Sequence, residues 1–224
     1  MRALAVLGVN TGVGKTHVST LILRGLRKVR DLDVLPFKPL ESGVEAHGGV
    51  PQDAARLLKA SGLAAALEDV CPWQLPRPVA PADELERLDL RVSLKDIQGA
   101  AESLLAKHAT RYLLFEGAGG VLSPLTWKID ATDVATTLRA GVWLVAKDEL
   151  GALSQIRTSL ESLERRKLPV LGVILNRFTD EQSIEKGKNA AALQRLGISK
   201  VWTADQNQVA ASVIAESSVW YRQG

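Results

Sequence analysis

Apolar residues along this chain follow two alternating patterns. Unbroken apolar runs recur at 3–7, 34–37, 112–115, 142–146 and 170–175, each of a length that suits a strand covered on both faces. Between them the apolar positions fall three and four apart. Val18, Leu21, Ile22, Leu26 and Val29 mark a helix over 16–30, and similar spacing predicts helices over 52–60, 132–139, 151–167, 184–196 and 210–221. Ser93-Leu94-Lys95-Asp96 resembles a capping box and opens a further helix to about Lys107. Strands alternating with helices predict an α/β fold: a three-layer, doubly wound, mainly parallel sheet with right-handed crossovers.

Breakers divide this pattern at three places. Pro39 and Gly43 stop regular structure over 38–43, and a glycine-rich linker covers 47–51. The four prolines of 71–81 predict a rigid, irregular surface segment. No flexible composition marks a boundary there, and 224 residues suit one domain. No internal repeat or low-complexity stretch is evident.

Composition narrows the possible partners. The chain is 46% hydrophobic and poor in aromatics, so Leu, Val, Ile and Ala must fill the core. Its net charge is only +3, and the basic groups Arg24, Arg27, Lys28, Arg30 and Arg165, Arg166, Lys167 fall late in predicted helices, where cations complement the dipole. A nucleic-acid partner is not expected. Cys71 is the only cysteine, which excludes an intrachain disulfide and fits a reducing cytoplasm. No apolar run approaches the roughly 18 residues of a membrane span, and the first strand begins without a leader pattern. A soluble cytoplasmic protein is expected.

The candidate chemistry centres on Gly8-Val9-Asn10-Thr11-Gly12-Val13-Gly14-Lys15-Thr16. A glycine-rich turn between a buried strand and a helix converges backbone N–H groups on an anion, and the helix N-terminus adds partial positive charge. Phosphate is the natural guest, with Lys15 reaching its terminal groups and the Thr16 hydroxyl a magnesium ligand, as in a P-loop. Five residues separate Gly8 from Gly14 where the strict pattern has four. Further polar residues follow the other predicted strands: Lys38 and Ser42, Glu116, and Asn176. In open α/β sheets one edge would gather them.

Thr16, Asp53 and Glu116 offer three oxygen donors, which with nucleotide phosphates could complete an octahedral magnesium site at about 2.0–2.1 Å per ligand. Equally, Asp53 could simply favour its helix N-terminus and Glu116 be a solvated loop charge. Lys38 could project into solvent from a turn, and Ser42 bond its own backbone. His17, His47 and His108 form no metal or nucleophilic constellation, and no serine or cysteine shows a triad pattern.

In combination these motifs resemble the dethiobiotin synthetases, ATP-dependent enzymes of the P-loop NTPase type, from the N-terminus to about Asn176. The family's Gly-Thr-Asp-Thr-x-Val-Gly-Lys-Thr loop is matched by Gly8 to Thr16, and its Lys-Pro-x-x-Ser/Thr-Gly by Lys38-Pro39-Leu40-Glu41-Ser42-Gly43. Asp53-Ala54, Glu116-Gly117-Ala118-Gly119-Gly120, Pro124-Leu125 and Leu150-Gly151 follow in order. The resemblance implies that 7,8-diaminopelargonate takes up CO2 as a carbamate, that MgATP phosphorylates it, and that the second amine closes a cyclic urea.

It also implies residue roles. Asn10, Gly12, Val13, Gly14, Lys15, Thr16, Glu116, Gly117, Gly119 and Asn176 would surround the nucleotide, with Asn176 at the adenine, while Thr16, Asp53 and Glu116 would hold magnesium. Lys38 would neutralise the carbamate and transferring phosphoryl group, with Lys15, Thr11 and Ser42 assisting. Family members are homodimers, and Leu150, Gly151 and Ser154 would receive the substrate carboxylate across the interface, where a helix start suits an anion. Asn10 replaces the usual aspartate, Gly12 a frequently acidic residue and Ser154 a common asparagine. Two other readings share the loop: a non-catalytic nucleotide-binding module, and a switch ATPase of the MinD/ParA kind, whose signature lysine would stand where this chain has Asn10.

Overall fold

The computed structural model describes residues 1–177 and 188–223. The chain runs β1 (Arg2–Gly8), α1 (Lys15–Arg30), β2 (Val34–Phe37), β3 (Leu40–Ser42), α2 (Gln52–Ser61), α3 (Leu67–Val70), β4 (Trp73–Leu75), α4 (Pro81–Arg87) and α5 (Leu94–Ala106). It continues through β5 (Tyr112–Gly120), β6 (Pro124–Thr126), β7 (Ile129–Asp130), α6 (Ala131–Thr137), β8 (Gly141–Lys147), α7 (Ala152–Arg165), β9 (Val170–Asn176), α8 (Lys188–Arg195), β10 (Val201–Ala204) and α9 (Ala211–Arg222).

Among the described residues the main sheet has six strands in the order β10-β9-β8-β1-β5-β2, all paired in parallel. Its alternating side chains feed two cores. Ala3, Ala5 and Leu7 of β1 join Ile97, Leu104, Val134, Ile156 and Leu163 from α5, α6 and α7 on one face. Leu4 and Val6 join Val18, Ile22, Leu26 and Leu57 from α1 and α2, and Val213 from α9, on the other. This double burial is why β1, β8 and β9 read as continuous apolar runs. β1 lies between β5 and β8, with later strands added on opposite sides, so the carboxyl end of β1 marks the switch point where ligands of such sheets bind.

The C-terminal helix is anchored by three aromatic groups. Trp143 Nε1 donates to Ser217 Oγ at 2.9 Å, Tyr221 donates to the Leu113 carbonyl at 2.7 Å, and Trp220 Nε1 donates to the Ala3 carbonyl at 2.7 Å. Among the described residues no helix is long and apolar enough to cross a membrane.

Several expectations are corrected. Residues 38–43 and 71–81 are not wholly irregular: β3 and β4 lie within them and pair in parallel, Leu40 opposite Trp73 and Ser42 opposite Leu75. Prolines flank these strands without interrupting them, which a breaker count does not register. β5 extends past residue 115 to Gly120, so Glu116 is a strand residue rather than a loop charge. β10, the short helices α3 and α4 and the β6–β7 hairpin were not anticipated; each is at most seven residues long, too short for a periodic signal. The helix expected over 184–196 is seen as Lys188–Arg195, and residues 184–187 lie outside the described residues.

Candidate active site

The phosphate-type loop joins β1 to α1. Gly14 caps α1 at φ 91°, a left-handed conformation that costs glycine little. A Cβ there would also run into the Asn176 amide, whose Nδ2 donates to the Val13 carbonyl at 3.0 Å. Asn176, the last residue of β9, thus braces the loop from beneath. Lys15 is buried, and its ammonium donates to the carbonyls of Gly119 at 2.7 Å and Asn10 at 3.2 Å. Burial, then the charge of Lys38, push its pKa down to about 8, with Glu116 and Asp53 opposing.

That shift has a testable consequence. Phosphates bound against Lys15 would favour the charged ammonium, so above about pH 8 a nucleotide complex would hold a proton that the protein without nucleotide releases. Nucleotide affinity is therefore expected to fall as pH rises through 8 to 9, by up to about tenfold per unit. Calorimetric titration in buffers of different ionisation enthalpy at pH 8.5 should register proton uptake. Observed heats that do not vary with the buffer's ionisation enthalpy would remove Lys15 from the phosphate contact.

Beside the loop lies a cluster of charges. Lys38, 4% exposed at the end of β2, donates to Glu116 Oε1 at 2.7 Å and pairs with Asp53 Oδ2 at 3.4 Å. Burial disfavours the ammonium, yet Glu116 and Asp53 outweigh it and hold the pKa above its ordinary value. Thr16 donates to the same Glu116 oxygen at 2.8 Å. Thr16, Lys38, Asp53 and Glu116 are therefore brought together, and the solvated alternatives for Lys38 and Glu116 do not hold.

The second Glu116 oxygen, Oε2, is buried with no hydrogen-bond partner among the described residues. An anionic oxygen left so is costly unless a cation or donor meets it. The Thr16 hydroxyl and the Asp53 carboxylate, which meet the other Glu116 oxygen and Lys38, could join it in an all-oxygen donor set of the kind Mg2+ prefers. Among the described residues no group of three or more His, Cys, Asp or Glu side chains could hold a metal by itself. Two carboxylates and a hydroxyl could hold a cation whose remaining ligands would be phosphate and water.

Ser42 ends β3, its hydroxyl buried and without a partner among the described residues. The turn that follows is clamped: Gly43 N–H donates to the carbonyls of Leu75 at 2.9 Å and Arg77 at 3.0 Å. Arg77 is in turn fixed by Glu84 at 2.6 Å, which also receives Arg87 at 2.6 Å. Hydrogen bonds from Arg87, opposed by desolvation and reinforced by Arg77, hold the Glu84 carboxyl down at about 2.

Thr11 and Gly12 are exposed on the loop. Asn10 Oδ1 accepts the Thr11 N–H at 2.8 Å, a bond that an aspartate would make equally; the amide keeps the acceptor and removes a negative charge from the phosphate side. Gly12 has φ 72° and open space where a Cβ would stand. Gly117 is constrained by packing, since a Cβ would meet Leu7 at 2.9 Å and Ala131 at 3.1 Å.

At the start of α7, Gly151 caps the helix at φ 91° with no side-chain bond, and Leu150 is 86% exposed. Ser154 lines a groove of about 530 Å³ with Val9, Asn10, Gly120, Pro124 and Thr158. Residues that sequence reasoning missed support this edge. Buried Asp148 receives Arg177 at 2.8 Å and Asn189 at 2.8 Å, and Asn189 also donates to the Glu149 carbonyl at 3.1 Å. Only the polar cluster Lys147-Asp148-Glu149 after an apolar run hinted at it.

Known proteins share both the fold and the sequence. A family model described as an AAA domain matches residues 2–203. An ATP-dependent dethiobiotin synthetase of Anaeromyxobacter dehalogenans (strain 2CP-C) is 41% identical over 196 residues, 88% of this chain and 86% of that protein. One from Caulobacter vibrioides (strain NA1000 / CB15N) is 34% identical over 188 residues, 83% and 84% of the two chains. The chain belongs to the dethiobiotin synthetase family.

The family's loop, its Lys38-to-Gly43 element and its Glu116-to-Gly120 element all meet on one sheet edge in this chain. Solved structures extend the fold more widely. A nucleotide-binding protein of Archaeoglobus fulgidus in complex with ADP aligns with TM-score 0.52 at 18% identity, over 98% of this chain and 86% of its own. The MinC:MinD cell division complex of Aquifex aeolicus aligns with TM-score 0.57 at 13% identity, over 100% and 97%. At those identities the likeness is one of architecture: the P-loop NTPase sheet carries both synthetases and cell division proteins.

Proposed function

We propose that this chain is a dethiobiotin synthase: it uses MgATP and CO2 to close the ureido ring of 7,8-diaminopelargonate. The observation that carries the reading is Lys38, a buried cation between Glu116 and Asp53 beside the phosphate loop, in a member of this family. One substrate amine adds to CO2, losing a proton and giving a carbamate anion. Lys38 neutralises that anion, with Thr11 and Ser42 orienting it. A carbamate oxygen attacks the γ-phosphorus and ADP leaves, Lys15 and the loop N–H groups stabilising the phosphates. The second amine then attacks the carbonyl carbon, phosphate departs and a proton is released. Magnesium, held by Thr16, Asp53 and Glu116, would offset charge on the phosphates. Asn176, bracing the loop, would border the adenine.

The bare, positively polarised start of α7 suits the substrate carboxylate. The exposure of Leu150 supports its being covered by a second copy, so that Leu150, Gly151 and Ser154 serve the partner's site in a homodimer. The asparagine at position 10 disfavours the MinD/ParA reading, which needs a lysine there.

Purified protein is expected to convert 7,8-diaminopelargonate, bicarbonate and MgATP into dethiobiotin, the active species sedimenting at twice 24.1 kDa. Tight nucleotide binding with no dethiobiotin by mass spectrometry would overturn the enzymatic reading and leave the non-catalytic module.

A further inference from the structure

Glu41, three residues after Lys38, is a buried carboxylate, 8% exposed, on the strand between Lys38 and Ser42. Its two oxygens are both engaged. Oε1 accepts the Asp53 N–H at 2.9 Å and Oε2 accepts the Ala54 N–H at 3.0 Å. These are first-turn donors of α2, where a helix ordinarily relies on a local Ser, Thr, Asp or Asn cap. α2 has no such cap: its N-cap is Pro51, which makes no side-chain bond. A carboxylate from β3 supplies the cap across a gap of twelve positions, and its charge suits the helix N-terminus.

This arrangement bears on Asp53 itself. A carboxylate in a helix's first turn commonly folds back onto the helix's own N–H groups. Here Glu41 occupies two of them, and the Asp53 carboxylate instead faces Lys38 at 3.4 Å. We infer that Glu41 is a positioning residue: by capping α2 from β3 it turns the Asp53 carboxylate toward Lys38 and the metal–nucleotide position. The inference rests on the assignment of Asp53 to magnesium made under the proposed function. It makes the Lys38-to-Ser42 strand and the start of α2 one rigid unit, so the cation, the hydroxyl and the metal carboxylate keep their spacing. A helix start held only by solvent would let Asp53 drift from the other two oxygen donors.

The test uses the full chain saturated with the non-hydrolysable analogue AMP-PNP, with bound Mn2+ counted by electron paramagnetic resonance. Glu41→Gln keeps the volume but presents an amide N–H₂ to a backbone N–H, so one of the two caps is lost. It is expected to weaken Mn2+ binding by about tenfold, the low end of what removing an outer partner of a metal ligand costs. Affinity for AMP-PNP in EDTA should stay within about twofold, and excess Mg2+ should restore turnover, a split that general destabilisation would not produce. Unchanged Mn2+ affinity in Glu41→Gln, with Asp53→Ala weakened, overturns the positioning role and leaves the synthase reading intact. Wild type and Asp53→Ala binding Mn2+ alike would overturn both Asp53's metal role and this inference, while the product assay judges the synthase reading separately. Should Glu41→Gln not fold, Glu41→Asp, too short to reach both N–H groups, carries the same comparison.

Discussion

Replacing Glu116 by glutamine is expected to lower thermal stability sharply and to raise the Mg2+ concentration needed for half-maximal activity. The Glu116 side chain is fully buried, and one of its oxygens receives both Lys38 at 2.7 Å and Thr16 at 2.8 Å. Glutamine preserves the shape and removes the charge. Lys38 is then left with Asp53 at 3.4 Å as its nearest counter-charge, while its own burial still disfavours the ammonium. Removing one partner of a buried ion pair typically costs roughly 3–5 kcal/mol, because the other charge stays desolvated. For a chain of this size that corresponds to a fall in Tm on the order of 10 °C.

The free oxygen Oε2 supplies the second half of the effect. It has no partner among the described residues, so neutralising the carboxylate removes the anionic ligand proposed for magnesium in addition to the Lys38 ion pair. Calorimetric melting and a Mg2+ titration of turnover separate the two contributions. If Tm and the Mg2+ midpoint both stay at their wild-type values, Glu116 is neither the ion-pair anchor nor a metal ligand.

Lys38→Ala is expected to lower kcat/KM for dethiobiotin formation by at least about tenfold, equivalent to roughly 1.4 kcal/mol of transition-state stabilisation. Both the carbamate and the phosphoryl group it attacks carry negative charge, and Lys38 is buried, where a fixed cation acts at low effective dielectric. Without it, Glu116 and Asp53 face the same anionic substrate with only Lys15 and the proposed magnesium to offset their charge. The loss should fall mainly on kcat, since the interaction strengthens as charge moves onto the bridging oxygen. Lys38→Arg should not restore activity, because a planar guanidinium is larger and shaped differently from the compact ammonium that fits between the two carboxylates. Full activity in Lys38→Ala would end the carbamate role.

The two variants are coupled. Because Lys38 and Glu116 touch, their effects on stability should be non-additive: with the carboxylate already gone, the ammonium has less to lose. A double-mutant cycle on Tm would measure that coupling directly.

Much of the fold was legible in the chain because its strands are covered on both faces. β1, β2, β8 and β9 begin or end within a residue of the apolar runs at 3–7, 34–37, 142–146 and 170–175, since double burial makes every position apolar and leaves no ambiguity of face. The helix α1 and the capping box at Ser93 and Asp96 were equally plain, being local in origin: a repeat of three and four, and a bond between near neighbours. The phosphate loop belongs to the same class, since its glycines and Lys15-Thr16 act through backbone conformation encoded within nine residues.

What needed the tertiary structure is whatever depends on residues distant in the chain. β3 and β4 are three residues each and exist because they pair with one another although some thirty residues separate them, so neither has a pattern of its own. Lys38, Asp53 and Glu116 could each be read as solvated; only the fold shows that buried Lys38 and Glu116 share one cluster with the half-exposed Asp53, because β2 and β5 end at the same sheet edge and the start of α2 meets it there. Glu41 carried no signal at all, its significance resting on two N–H groups contributed by another element. The sequence determined that a phosphate loop and a parallel sheet would form, because those follow from local conformation and from burial pattern. Which charges are buried, which oxygen is left without a partner and which carboxylate holds the start of α2 was decided by the fold alone, because desolvation and hydrogen bonding are properties of the three-dimensional neighbourhood.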